Sequence, residues 1–307
     1  MPTGQVVPLA HPEPRQLAAA AAAFLAQPGL AASTRRSYQQ TLDRLERELD
    51  AAQLLEDLTV EAVTVAVITT WGRCAPATWN RHVATAGSFV AYCRRRRWLT
   101  SDLAGDLERR PEPADRTKAI PLAELERLWK RDDVAVREKA LWRFLYETAA
   151  RASEALSLNV EDLDLDNKRV RVRSKGGDLD WLHFQTGSAR LLPKLIAGRA
   201  RGPLCLADRA PIPARVPATV DRCPETGRAR LSYRRAEALF LKASGGRTLH
   251  QLRHSALTHL AEQNTSLPLL MAKSRHASLR SLQRYARPGA EAVAALTAAT
   301  DPARRRR

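Results

Sequence analysis

His250-Gln251-Leu252-Arg253-His254 opens a stretch that continues through Arg275-His276-Ala277-Ser278 and closes on Gln283-Arg284-Tyr285. A second arginine stands far upstream, in Thr148-Ala149-Ala150-Arg151-Ala152-Ser153-Glu154. Histidines, arginines and a tyrosine at these spacings can hold a phosphodiester and attack it. The phosphodiester is an anion, and attack adds charge to its non-bridging oxygens, so fixed cations must surround them. Arginine suits that task because its planar fork donates two hydrogen bonds to one phosphate and stays charged at any working pH. A nucleophile is also required, and a leaving oxygen must be protonated. A free tyrosine has a pKa near about 10, so only roughly one in a thousand is ionised at neutral pH. Neighbouring cations must therefore ease its proton loss.

The totals agree with an anionic partner. Among 307 residues, 50 Lys+Arg face 33 Asp+Glu, a formal charge of +17. Such a balance attracts polyanions and resists self-association; a generic basic protein is the plain alternative. Hydrophobic residues are 44% of the chain, enough for real cores, which excludes a disordered basic tail protein. Cys74, Cys93, Cys205 and Cys223 are scattered without a Cys-x-x-Cys pair, so neither zinc-ribbon spacing nor a disulfide framework is expected. Free thiols in a reducing cytosol are the default, and no metal or cofactor is expected. The apolar run over residues 17–25 is too short to span a bilayer and lacks the flanks of a signal peptide. The expectation is a cytoplasmic, nucleoid-associated protein with no membrane partner.

Along the chain, residues 1–15 are proline-rich and read as a flexible leader. Residues 16–107 are helical in pattern. Helices are expected over 16–26, over 35–49 with Ser33-Thr34 as cap, over 58–71 and over 77–97. Residues 108–117 hold Pro111, Pro113 and many charges and read as an interdomain linker. The second unit runs over 118–300, with helices expected over 122–129 and 135–156. Val170-Arg171-Val172-Arg173 alternates apolar and basic residues, Ser174-Lys175-Gly176-Gly177 turns, and 179–184 returns as the partner strand. Further helices are expected over 186–198, 232–243, 252–263, 279–285 and 290–299, followed by a basic tail over 301–307. The fold class is mainly α with a small β-hairpin or sheet.

The motifs resemble those of the tyrosine recombinase (phage integrase) family, of the compact, two-domain, Xer-like kind; residues 1–15 leave no room for an additional arm-binding domain. The resemblance spans roughly residues 16–300. It is most specific over 148–154 and 250–285 and loose before 110. It implies a SAM-like helical core-binding domain followed by an α+β catalytic domain. It also implies site roles. Arg151 and Arg253 clamp the scissile phosphate, with Glu154 orienting the basic residues. Lys175, in the hairpin turn, protonates the leaving 5′ oxygen. His250 assists proton transfer or positions the phosphate, His276 hydrogen-bonds a non-bridging oxygen, and Tyr285 is the nucleophile. His254 is expected to pack.

Two departures from the family's pattern stand out. Ala149 occupies a position where glycine is frequent, a change tolerated if the turn needs no positive φ. Arg275 replaces the usual glycine before the histidine, with either a strained turn or an added phosphate contact as the outcome. In the first domain, Arg35, Arg36, Tyr38, Asn80 and Arg81 stand where such domains touch the DNA backbone; a solvated basic helix face is the alternative. The implied activity is site-specific cutting and rejoining of double-stranded DNA through a 3′-phosphotyrosine and a Holliday junction, by a homotetramer on two sites, without metal or ATP. A type IB-like topoisomerase and a non-catalytic DNA-binding protein on the same scaffold are the rivals. Phosphate clamps carry no base information, so the target sequence stays open.

Overall fold

The computed structural model describes residues 15–113, 119–173 and 179–275, together with residue 282 and residues 297–298. Lys175, His276 and Tyr285 lie outside the described residues, as do almost all of the helices expected over 279–285 and 290–299. The chain divides into two compact units, Met1–Ala114 and Asp115–Arg307.

The first unit contains helices α1 (Leu17–Leu25), α2 (Ala32–Leu49), α3 (Val60–Trp71) and α4 (Pro76–Arg95). Thr59 caps α3 by accepting from the Ala62 N–H, and Pro76 starts α4, where its missing N–H costs nothing. The expected Ser33-Thr34 cap is not used: α2 begins at Ala32, after Ala31, without a side-chain cap. Apolar faces converge on a core built from Phe24, Leu42, Val67, Trp71, Phe89 and Val90. Tyr38 stacks on Phe24 at 5.3 Å, and the Phe89 and Tyr92 rings meet Phe24 edge-on.

Residues 108–112, part of the expected interdomain linker, are bound to this unit. Trp79 Nε1 donates to the Glu108 carbonyl, and the Arg110 guanidinium lies 4.0 Å above the Trp79 ring while donating to the Gly72 carbonyl. The composition of the segment is that of a linker. Its backbone polar groups nevertheless find fixed partners on α4, which a composition argument does not reveal.

The second unit contains α5 (Leu122–Lys130), α6 (Val136–Thr148), α7 (Ala152–Ser157), three strands, and then α8 (Thr186–Ile196), α9 (Tyr233–Ala243), α10 (Leu249–Glu262) and α11 (Leu267–Ser274). The strands β1 (Leu163–Asp164), β2 (Arg169–Arg173) and β3 (Leu179–His183) form an antiparallel sheet in the order β1-β2-β3. The register pairs Val170 with Leu182 and Arg171 with Trp181, so the alternation puts Val170, Val172 and Leu182 in the core and the arginines of β2 outside. The hairpin expected from sequence is thus extended by a third, two-residue strand. Trp142, Phe144, Leu145, Leu192 and Phe240 complete the core.

Three further elements differ from the sequence expectation. Residues 135–156 are not one helix. Ala149 turns left-handed (φ 52°, ψ 28°), ends α6, and α7 restarts after Arg151. Helix α10 begins three residues earlier than expected, at Leu249, with Thr248 and Gln251 in a reciprocal capping box. Helix α11 is an addition to the expected set: it is only eight residues long, although Ser266 and Pro268 stand at its start.

Two buried carboxylate and guanidinium devices hold this unit in shape. Glu147 accepts from the Gln185 and Ser188 N–H groups at 2.8 and 3.0 Å, neutralising the N-terminus of α8, and pairs with Arg143 at 2.8 Å. The Arg143 side chain passes so close to Gly187 that a Cβ there would fall 1.6 Å from its Nε, so a larger residue would push the guanidinium off Glu147. Arg199 donates to the carbonyls of Leu195, Ile196, Pro203 and Leu204, closing the other end of α8.

Candidate active site

Arg151 ends an extended turn and Arg253 lies in the first turn and a half of α10, 102 positions later in the chain. The fold joins them. The Arg253 guanidinium donates through Nη1 to the carbonyl of Ala149, two residues before Arg151, and through Nη2 to the carbonyl of Ser274 at 2.6 Å. Arg253 is 1% exposed. It therefore ties the α6–α7 turn to the end of α11, through backbone groups that helix ends leave open.

The turn itself is built by short-range bonds. Thr148 Oγ1 donates to the Phe144 carbonyl and accepts from the Ala150 N–H at 3.2 Å. Ala149 is left-handed, so the condition under which alanine replaces glycine without strain is not met: an L-residue there costs roughly 1–2 kcal/mol. Its methyl group is buried with Ala256, Leu257 and Leu282, and burying a methyl recovers about 0.8 kcal/mol. Packing thus offsets part of the cost, and the rest is strain left in the turn.

Glu154 organises the start of α7. Its Oε2 accepts from the Arg151 N–H at 2.9 Å, capping α7, and its Oε1 pairs with Arg151 Nη1 at 2.9 Å. Burial pushes the Glu154 pKa up, but the Arg151 N–H and the Arg275 and Arg151 guanidinium groups outweigh it and hold the carboxyl below the usual carboxylate range. The Arg151 side chain remains 45% exposed.

Arg275 caps α11 in the left-handed region (φ 52°, ψ 42°). Of the two outcomes the sequence allows, the backbone strain is present. The side chain reaches Glu154 Oε2 at 2.5 Å and comes within 3.9 Å of Asp180 on β3. Two residues earlier, Lys273 donates to the His183 carbonyl at 2.9 Å; burial and the nearby Arg275 push its pKa down. No feature of the sequence alone marks Lys273 or Asp180.

His250 is exposed on the first turn of α10, three positions before Arg253 and so on the same side of the helix. His254 is buried at 9% exposure. In the first unit the nominated residues separate. Arg35, Arg36 and Arg81 are exposed. Tyr38 is half-buried against Phe24. Asn80 is buried: its Nδ2 donates to the Arg110 carbonyl and to Glu112, and its Oδ1 accepts from the Arg110 N–H at 2.7 Å. Both its donors and its acceptor are used on residues 110–112, which leaves the amide nothing to offer a phosphate. Close by, His82 is stacked on Trp71 at 4.2 Å and bonded to Thr41. Burial and the charges of Arg81 and Arg44 hold its pKa down to about 4, so it is neutral at pH 7.

Among the described residues no group of three or more His, Cys, Asp or Glu could hold a metal ion, and no helix is long and apolar enough to cross a membrane. What the site offers is an exposed Arg151, a buried Arg253 with His250 on the same side of its helix, and Arg275 sharing Glu154 with Arg151.

Comparison with known proteins agrees. Residues 118–291 match the model of the phage integrase family. The tyrosine recombinase XerC of Mycobacterium bovis (strain BCG / Pasteur 1173P2) is 28% identical over 288 residues, covering 84% of this chain and 89% of that protein. The tyrosine recombinase XerD of Bifidobacterium longum is 30% identical over 161 residues, half of each chain. Among solved structures, the Tn1549 transposon integrase in complex with circular intermediate DNA aligns with a TM-score of 0.68 at 14% identity, covering 92% of this chain and 99% of that one. A lambda integrase tetramer bound to a Holliday junction aligns at 0.67 with 14% identity, covering 89% and 78%. At such identities these structures speak for the fold. The family match covers more than half of the chain: this protein belongs to the phage integrase family, the tyrosine recombinases.

Proposed function

We propose that this protein cuts and rejoins double-stranded DNA at specific sites through a covalent 3′-phosphotyrosine. The observation that carries the reading is the bond from Arg253 on α10 to the Ala149 carbonyl, which ties one arginine to the turn that carries the other. Arg151 offers an exposed fork to the scissile phosphate, and Arg253 fixes the turn and adds a second cation behind it. Tyr285 Oη attacks phosphorus as the bond to the 5′ oxygen breaks. The tyrosine proton is lost with help from His250, and the leaving oxygen takes a proton from Lys175. His276 hydrogen-bonds a non-bridging oxygen. The 5′ hydroxyl of a partner duplex then attacks the phosphotyrosine, so the bond energy is conserved and neither ATP nor metal enters the balance. Exchange by four protomers on two sites, through a Holliday junction, follows the precedent of the lambda integrase tetramer bound to such a junction. Arg35, Arg36 and Arg81 of the first unit would meet the phosphate backbone, and the reaction takes place on cytoplasmic DNA.

The test is covalent trapping. Host cells are lysed in SDS, DNA attached to this protein is recovered, and its ends are sequenced beside those from a Tyr285→Phe strain. A few sharp sites that vanish in the variant are expected. Scattered sites would favour a topoisomerase, and attachment that survives the substitution would remove Tyr285 as nucleophile.

A further inference from the structure

Arg275 occupies a backbone conformation that glycine adopts freely and arginine does not, at the end of α11. Its guanidinium is not spread into solvent. The side chain is 12% exposed and meets a Glu154 that is 16% exposed, whereas Arg151, on the other side of the same carboxylate, is 45% exposed. One carboxylate is thus shared by a buried and an exposed arginine. We infer that Arg275 is a positioning residue of the site, which fixes Glu154 and so sets both the orientation of Arg151 and the charge left on it for a phosphate. This rests on the reading of Arg151 as a phosphate clamp.

Charge balance gives the physical reason. Arg151 and Glu154 alone form a neutral pair, in which the carboxylate competes with an incoming phosphate for the guanidinium. Adding Arg275 leaves the three-residue cluster with a net positive charge. Asp180 offsets little of this, at 3.9 Å and 45% exposed. The same side chain also joins separate segments of the site. Glu154 lies on the turn that carries Arg151, and Asp180 lies on β3, five positions after Lys175 in the chain. The residue that follows Arg275 is His276. Lys273 and Arg253 hold the same helix end from two further directions, through the His183 and Ser274 carbonyls. An arginine that only filled a cap would need none of these partners.

The experiment compares the full-length wild type with Arg275→Gly, Arg275→Lys and the double variant Arg275→Gly/Glu154→Gln. Glycine relieves the left-handed strain, so thermal stability should hold, which separates the effect from misfolding. Inorganic phosphate is titrated while the arginine Nε–H signals are followed by NMR, and the yield of trapped covalent DNA is measured in the host. In Arg275→Gly, phosphate affinity at Arg151 and covalent yield should each fall by about tenfold, less than the roughly 10²–10³-fold lost with a direct donor, because Arg275 acts through Glu154. The double variant, which restores the net positive charge, should recover much of the phosphate affinity; Arg275→Lys should fall between. Wild-type phosphate affinity in Arg275→Gly, or no recovery in the double variant, overturns the inference. If phosphate perturbs Arg151 in none of the proteins, the clamp reading fails and takes this inference with it. If Tyr285-dependent trapping is absent while the phosphate series behaves as described, the recombination reading fails and the positioning role stands.

Discussion

The two arginines that meet at the α6–α7 turn are held in opposite ways. Arg253 is 1% exposed and donates to the backbone carbonyls of Ala149 and Ser274. Arg151 is 45% exposed on its side chain and is held by one carboxylate, Glu154. The first unit repeats the contrast on a smaller scale: Asn80 is committed to residues 110–112, while Arg36 stands in solvent on α2. Residue type and spacing nominate a polar site, but only the partners decide whether a side chain serves the fold, a ligand or both. Within one candidate site, one arginine can hold the backbone together while the other faces outward.

Substitution should separate the two most sharply. Arg253→Ala strands two buried carbonyls, each costing about 1–3 kcal/mol, so a stability loss of roughly 3 kcal/mol is expected together with loss of activity. Arg151→Ala should stay within about 1 kcal/mol of wild type, as for an exposed ion pair, while covalent attachment falls about 100-fold or more. Urea unfolding and SDS trapping measure both. Equal destabilisation by the two variants would erase the contrast.

The first unit should show the same division with smaller effects. Asn80→Ala removes the bonds that hold residues 110–112, with an expected cost of about 2 kcal/mol in unfolding and little change in affinity for a mixed-sequence duplex. Arg36→Ala should be near neutral in stability, weaken duplex binding, and lower the salt slope by about one. Fluorescence anisotropy across a salt series decides this; an unchanged slope would make the exposed face a mere solvated surface.

Acid supplies the gentlest probe. The Glu154 pKa is held below the usual carboxylate range, so its contribution to stability is present above that range and lost as pH falls through the depressed value. Arg151 and Arg275 should be released together in that window, seen as faster exchange of their Nε–H protons. Arg253, bonded to carbonyls that do not titrate, should keep its protection until the unit unfolds. Simultaneous release of all three would show a single cooperative unit instead of two modes of attachment.

Much of the site is legible in the amino-acid sequence. The Arg151 and Arg253 boxes stand out because their motifs resemble the family's, and the β2–β3 pairing follows from strict alternation over 170–173. The break at Ala149 is not legible from periodicity, because the apolar pattern continues across it and an alanine gives no turn signal; only the family's frequent glycine at that position hints at a turn. Helix α11 escapes notice because eight residues carry too short a period, and the anchored 108–112 segment because prolines and charges look alike whether solvated or bound.

The mainly helical class, the basic character and the small sheet follow from composition and local periodicity, and the site residues are nominated by the resemblance of their motifs to a family; the chain alone is enough for both. Tertiary contacts were needed to learn which arginine is buried, that Asn80 belongs to the fold, and that Arg275 faces Glu154 and Asp180. Those outcomes depend on residues up to 121 positions apart. Local spacing carries no information about them, because each is set by the packing of helices and strands that brings their ends together.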